Sequence, residues 1–250
     1  MKASETSTNG GNGYLSDDQI AFFEKNGYVI VDFGFSEETL DALVSELHPY
    51  YNPEHLRAPS FGARIQDAWK FVEPAHQLAT QANVLSALEQ LFQRKPLPFQ
   101  TLNFPVGTQQ ATHSDTIHFN SMPNGFMAGV WIALEDIDEE NGPLEYYPGS
   151  HKLPEITMQD AGLEPGYQNY PEYEAFIAKH VQETGIEAAY GYMPKGHEVL
   201  GHANLLHGGS KQKDTRRTRH SQVTHYFFDG CQYFTPMHSQ PGKPALRHPE

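Results

Sequence analysis

After Pro98 the chain changes texture, and that change constrains its fold more than any other feature. Short segments rich in β-branched and aromatic residues alternate with glycine and proline turns. They are 99–104, 113–119, 127–134, 144–147, 198–200, 204–206 and 219–228. Strands at this spacing predict a sandwich or a closed barrel. A chain of 250 residues fits one such domain.

The preceding part reads as helical. Ser16 is a good N-cap with Gln19 three residues on, a capping box. Ile20, Phe22 and Phe23 supply an apolar side, and Asn26-Gly27 is a stop signal. A short strand is expected at 28–31. A second helix starts near Ser36, with Leu40, Leu43, Val44 and Leu47 at helical spacing. A third runs over 75–92, carrying Leu78, Leu85, Leu88, Leu91 and Phe92. Residues 1–13 are small, polar and glycine-rich, and disorder is expected there. Residues 152–192 interrupt the strand texture with Pro154, Gly162, Pro165, Gly166 and Pro171, and read as an insertion that covers a site. Residues 236–250 read as a proline-rich tail. The expected domain is thus 14–235, mainly β with flanking helices.

Composition narrows the partners. With 17 basic and 31 acidic residues the net charge is −14, a surface that repels phosphate backbones and anionic lipids. No nucleic acid and no membrane is the expectation, and no run approaches the ~18 apolar residues of a span. The single cysteine, Cys231, has no internal partner. With a polar start it points to a reducing, cytoplasmic setting.

The chemistry concentrates in THSDTIHF, residues 112–119. On a strand, His113 and Asp115 share a side, and His118 falls out of phase. A third ligand must come from elsewhere. His207 ends an apolar segment just before Gly208-Gly209, and Arg219 follows at the start of RHSQVTHYFF. Two histidines and one carboxylate form the facial triad of non-haem Fe(II) oxygenases, whose open positions suit a 2-oxo acid and dioxygen. An arginine fork suits the distal carboxylate of a dicarboxylate cosubstrate. Rivals exist at each step. His197, His202 and His225 compete as third ligand, His202 foremost, whereas His225 in mid-strand reads as structural. Arg216 and Arg217 compete with Arg219. Lys211, Lys213, Arg216 and Arg217 otherwise read as a solvated basic loop, and the acidic run 135–140 as a solvated turn.

These residues resemble the phytanoyl-CoA dioxygenase family of Fe(II)/2-oxoglutarate-dependent oxygenases, from about Leu15 to Phe228. LSDDQIAFFEKNGYVIV is similar to its opening, THSDTIHF to its metal motif, WIALEDIDEENGPLEYYPGSHK to its central segment, and HGGS with TRHSQVTHYF to its distal histidine and arginine. Many members carry glutamine where this chain has Ser114. The resemblance implies a double-stranded β-helix, a jelly-roll or cupin-like barrel. It implies His113, Asp115 and His207 as iron ligands and Arg219 on 2-oxoglutarate. Trp131, Gln100, Asn103 and Ser210 fall where the cosubstrate is contacted; for Trp131 a core role is equally open. His118 and Thr116 are candidates for the substrate side. Fe(II), 2-oxoglutarate and dioxygen are the implied cofactors, and hydroxylation of an aliphatic C–H in a small molecule, with release of succinate and CO2, is the implied reaction. Asp115 favours that outcome, since related halogenases have a small non-coordinating residue there. Two alternatives stand beside it: a cupin-type metal barrel without 2-oxoglutarate chemistry, for which Arg219 has no task, and a non-catalytic binder, for which an intact ligand set has none.

Overall fold

Ser16 begins the first helix as its sequence predicts. In the computed structural model, which describes residues 15–53 and 63–248, its side chain accepts from the Gln19 N–H, and the Gln19 side chain accepts from the Ser16 N–H. This reciprocal pairing satisfies two donors that a helix start leaves open. The expected tail at 1–13 lies outside the described residues. Helix α1 (Asp17–Asn26) ends at Gly27, whose φ of 82° glycine tolerates best. Strand β1 (Tyr28–Val31) and helix α2 (Glu37–Leu47), capped by Ser36, follow.

The single helix expected over 75–92 is two helices, α3 (Glu73–Ala79) and α4 (Ala82–Phe92). The Thr80 hydroxyl donates to the His76 carbonyl, and the Gln81 side chain accepts from the Val84 N–H. The second helix therefore starts with its own cap. Leu78, Val84 and Leu88 all reach the same core, so the apolar pattern runs through the break and conceals it.

Five further strands build the main sheet with β1: β2 (Ile65–Gln66), β3 (Pro96–Phe104), β5 (Met127–Ala133), β8 (Glu198–His202) and β10 (Ser221–Phe228). Their order is β1-β8-β5-β10-β3-β2. Two smaller ladders face it. One orders β7 (Ala189–Tyr190), β6 (Leu144–Tyr146) and β9 (His207–Gly209); the other orders β12 (Leu246–Arg247), β11 (Gln232–Phe234) and β4 (Asn120–Met122). All pairings are antiparallel. Alternation along each strand divides the work. Val130, Ile132, Leu200, Tyr226 and Phe228 face outward onto Leu40, Leu43, Leu78 and Leu88 of the helices. Gln100, Trp131, Val199 and Val223 face inward and line a cavity between the sheets. Buried hydrogen bonds tie helix to sheet: Tyr226 Oη donates to the Ala79 carbonyl at 2.8 Å and Gln222 Nε2 to the Ala75 carbonyl at 3.1 Å. Each is worth about 1 kcal/mol net.

One irregularity interrupts β3. His225 pairs with Gln100 but Tyr226 with Pro98, so Phe99 is an extra residue in the ladder. Pro98 has no N–H to donate, which suits a bulge.

Three expected segments differ. Residues 113–119 are not a strand: His113 makes a lone bridge to His207, and Asp115–Ile117 is a 3-10 turn. Local bonds compete with the ladder, since Ser114 Oγ and Thr116 Oγ1 lie 2.7 Å apart and Thr116 Oγ1 donates to Asn204 Oδ1. Residues 204–206 are a turn leading into β9, and the strand expected from Arg219 starts at Ser221. The segment after Thr235 returns to the barrel, where β12 pairs with β11. Helix α5 (Tyr170–Thr184) and β7 form within 152–192. No helix among the described residues is long and apolar enough to cross a membrane.

Glu198 is fully buried in β8. Its Oε2 accepts from the Phe33 N–H, and its Oε1 has no partner among the described residues. Burial, with the nearby Asp32 charge, pushes its carboxyl up to about 9. The folded state therefore holds a proton that the unfolded chain releases in the ordinary carboxylate range. That stabilisation is complete below the unfolded value and is lost as pH rises through about 9, at up to ~1.4 kcal/mol per pH unit. Urea midpoints should fall between about pH 6 and about pH 8 in the wild type and flatten in Glu198→Gln; parallel curves for the two proteins count against a buried neutral Glu198.

Candidate metal centre

The site begins with two backbones in register. The His113 N–H donates to the His207 carbonyl and the His207 N–H to the His113 carbonyl, both at 2.9 Å. The imidazoles then lie side by side, ring centroids 4.5 Å apart. Glycine makes this approach possible. A Cβ on Gly208 would stand 2.8 Å from the Gln110 carbonyl oxygen, and one on Gly209 would stand 2.9 Å from the Gln109 nitrogen. After His113 the chain passes through extended Ser114 into the 3-10 turn. The turn, not strand alternation, brings Asp115 to the side where the imidazoles meet.

His113, Asp115 and His207 are the group of potential metal ligands among the described residues, with donor atoms all within 4.8 Å of one another. Asp115 Oδ1 lies 3.8 Å from His113 Nε2 and 3.9 Å from His207 Nε2. An ion about 2.1 Å from each donor holds neighbouring donors roughly 3 Å apart, so closure needs less than about 1 Å of movement. The orientation of both rings is already set. His113 Nδ1 donates to the Ala111 carbonyl and His207 Nδ1 to the Leu205 carbonyl, each at 2.9 Å. Such outer partners fix the tautomer and leave the Nε2 lone pair for the metal. Burial, helped by neighbouring His207, lowers His113 to about 3, so the ring is a neutral donor near pH 7. Gln110 Nε2 lies 3.1 Å from His113 Nε2 and marks where a ligand to that nitrogen would sit.

Arg219 is buried at one end of the same cavity, which has a volume of about 600 Å³. Its guanidinium lies over Trp131 at 5.4 Å and Phe104 at 6.0 Å. Nη1 donates to Ser221 Oγ at 2.9 Å, while Nε has no partner among the described residues. Burial lowers the group to about 10, so it stays cationic at neutral pH. A buried cation with unused donors is costly unless an anion meets it, and a carboxylate entering the cavity fits. The competing arginines are elsewhere. Arg216 pairs with Asp214 and Arg217 with Asp138, and Lys213 pairs with Glu139. The basic loop and the acidic run therefore neutralise each other at the surface.

The remaining candidates divide. Trp131 and Gln100 line the cavity. Asn103 does not: it faces the helix side, donating to Gln222 Oε1 at 2.9 Å. Ser210 donates to the Pro143 carbonyl, and Thr116 is held in the buried bond to Asn204, so neither lines the cavity. His118, out of phase on a regular strand yet a candidate for the substrate side, lines the cavity, because a turn replaces the strand. Its Nε2 lies 3.1 Å from Tyr170 Oη of α5, and burial lowers it to about 4. His225, expected as structural, also faces inward, with Nε2 3.7 Å from Asp115 Oδ2. Val223, two residues earlier on β10, faces the cavity as well. His202 lines the far wall, where its Nδ1 accepts from the Asn204 N–H. Tyr146 of β6, Tyr170 of α5 and Gln110 also line the cavity; Gln110 lies in a loop, where no periodicity marks an inward face.

If the glycine approach aligns the imidazoles, Gly208→Ala weakens Fe(II) binding by at least about 10-fold. Anaerobic titration with Fe(II), beside a circular dichroism check of folding, measures it. Unchanged affinity in a folded variant would falsify the requirement for close approach.

Comparison with known proteins agrees with this geometry. Residues 23–221 match the phytanoyl-CoA dioxygenase (PhyH) family. The peroxisomal phytanoyl-CoA dioxygenase of Rattus norvegicus is 24% identical over 254 residues, covering 90% of this chain and 72% of that protein. The non-heme alpha ketoglutarate dependent carbocyclase SnoK from nogalamycin biosynthesis has a TM-score of 0.69 at 18% identity, covering 92% of this chain and 90% of that one. EctD from S. alaskensis, solved with 2-oxoglutarate and 5-hydroxyectoine, has a TM-score of 0.68 at 19% identity, covering 98% and 88%. The shared fold is the double-stranded β-helix. The matched segment contains the two histidines, the carboxylate and the buried arginine alike, and the chain belongs to the phytanoyl-CoA dioxygenase family of 2-oxoglutarate-dependent non-haem iron dioxygenases.

Proposed function

We propose that this dioxygenase hydroxylates an aliphatic C–H of a small molecule while 2-oxoglutarate is converted to succinate and CO2. In this reading His113, Asp115 and His207 hold the iron, and Arg219 holds the distal carboxylate of the cosubstrate. The observation that carries it is the buried Arg219, with an unpaired Nε, in the same cavity as three convergent metal donors. A metal barrel without a carboxylate cosubstrate gives that cation no counter-charge.

Iron, when bound, supplies the oxidising chemistry at the expense of the cosubstrate. The chain's own residues do the rest. The Ala111 and Leu205 carbonyls keep both imidazoles aimed inward. Asp115 would hold the iron together with the two imidazoles, and a carboxylate ligand there would leave no place for a halide, which favours hydroxylation over halogenation. Its second oxygen faces His225, which limits the carboxylate's rotation. Trp131 and Phe104 form apolar walls beside the Arg219 guanidinium. With solvent largely displaced there, its attraction for a carboxylate is stronger than in water. Tyr170 and His118 close the cavity from the side of the inserted helix. The 5-hydroxyectoine solved in complex with EctD supports a substrate of similar scale.

Anaerobic protein given Fe(II) and 2-oxoglutarate should develop the weak charge-transfer band at ~500 nm that a chelating 2-oxo acid produces. His113→Ala and His207→Ala should lose it. Arg219→Ala should retain iron and need at least about 100-fold more 2-oxoglutarate to reach the same absorbance, since removing one member of a buried pair costs about 3–5 kcal/mol. Absence of the band in iron-loaded wild type would sink the reading; N-oxalylglycine should suppress succinate release competitively if it stands.

A further inference from the structure

The cavity is cationic beyond what the metal centre uses. Among the described residues its charged side chains, histidines aside, are Arg64, Arg219, Arg247 and one carboxylate, Asp115. This occurs in a chain whose net charge is −14. On the reading above, the formal charges of Fe(II), Asp115, Arg219 and a dicarboxylate cancel. Arg247 is a further positive charge, which Asp67 reaches electrostatically without an ion pair, and Arg64 lines the same cavity.

Arg247 and Arg219 occupy different parts of the cavity. Arg219 lies over Phe104. Arg247, from β12, lies over Phe99 at 5.6 Å and Phe119 at 4.7 Å. Phe99 and Phe104 are on the same strand, and at the rise of a strand roughly 17 Å separates them. His225, beside Asp115, pairs across from Gln100, next to Phe99. Arg247 is thus near the metal centre on the side away from the cosubstrate arginine. Arg64, from the turn into edge strand β2, lines the same cavity. Tyr167 stands within electrostatic reach of both guanidiniums, and its ring stacks on His118 at 6.2 Å. Half-buried Arg247 has no hydrogen bond or ion pair to a carboxylate among the described residues. Its aromatic neighbours hold the stem and face, leaving the edge donors of the fork for a ligand. It also lies beyond the segment matched by the family, residues 23–221.

We propose that Arg247 and Arg64 bind an anionic group of the substrate, a carboxylate or phosphate-type oxyanion, with the apolar remainder of the molecule laid beneath His118 and Tyr170 toward the metal. This assignment rests on the proposed oxygenase reaction for which end of the molecule reacts, but anion capture itself does not need iron turnover. The substrate class is therefore an acid with an oxidisable C–H several bonds from its charge, and a neutral analogue is a poor ligand.

The test is calorimetric, under nitrogen, on full-length protein loaded with Fe(II) and saturated with 2-oxoglutarate so that Arg219 is occupied. The probes are matched series of straight-chain and phenyl-substituted alkanoates, the corresponding alkylphosphonates, and the primary amides of the alkanoates. Acids should bind at least about 10-fold more tightly than their amides, and Arg247→Gln and Arg64→Gln should each remove that preference. Whether carboxylates or phosphonates bind better identifies the oxyanion. Both variants should keep the ~500 nm band, which separates this claim from the metal-centre reading. If wild type lacks the band but still prefers acids in an Arg247-dependent way, anion capture stands and the oxygenase reading falls. Equal binding of acids and amides, no binding by any acid, or an acid preference that survives in both variants overturns the proposal.

Discussion

The reciprocal backbone bond between His113 and His207 is the constraint on which the rest of the site depends. It joins two segments far apart in sequence at one point and brings two imidazoles together. Neither ring could be aimed by its own strand alone. The bond acts only because the chain on either side is thin: glycines follow His207, and the 108–112 segment lies against them. The third donor then needs only a short turn. A metal site of this kind is mostly a backbone construction, with side chains added at the last step.

A second constraint is electrostatic. Arg219 is buried without a carboxylate partner among the described residues, and folding must carry that cost. The aromatic faces of Trp131 and Phe104 offset part of it. The remainder is relieved when an anion arrives, which couples cosubstrate binding to stability. Glu198 shows the other solution to the same problem, since a buried carboxyl can take up a proton and become neutral. Arginine cannot shed its charge so easily. That difference suits Arg219 to a binding role and leaves Glu198 as a structural feature.

The barrel and the chief ligands were legible in the sequence because both are written in local signals. Turn residues between β-rich runs announced the strands, and a His-x-Asp pair with a distant His-Gly-Gly announced the ligands. The geometry that joins them was less legible. Strand alternation brought His113 and Asp115 together on paper, but the chain uses a 3-10 turn, so the pairing was right for the wrong reason, and alternation gave no account of His118 reaching the cavity. Asn103 was assigned to the cosubstrate by its place on β3, yet parity puts it on the helix side, bonded to Gln222. Ser210 and Thr116 have side chains short enough to be captured by nearby polar groups. The break between α3 and α4 was hidden because Leu78 and Leu88 keep one apolar face across it. Arg64 and Arg247 carried no signal, since nothing local says that an arginine in a turn or near a chain end faces inward.

The extra residue in β3 has an effect that reaches both ends of the barrel. Above it, Gln100, Leu102 and Phe104 face the cavity. The extra residue itself, Phe99, joins Phe227 and Tyr233 in a stacked aromatic cluster on the same side. Neighbouring residues of an ordinary strand cannot both do this. The bulge resets the phase, so one continuous strand serves as reaction-chamber wall for part of its length and as sealing plug for the rest. A single-codon deletion of Phe99 would restore a regular ladder, with Gln100 still opposite His225 and Pro98 opposite Tyr226, and would take the plug's ring away while leaving the chamber wall in place, whereas a deletion in a surface loop would change only its length.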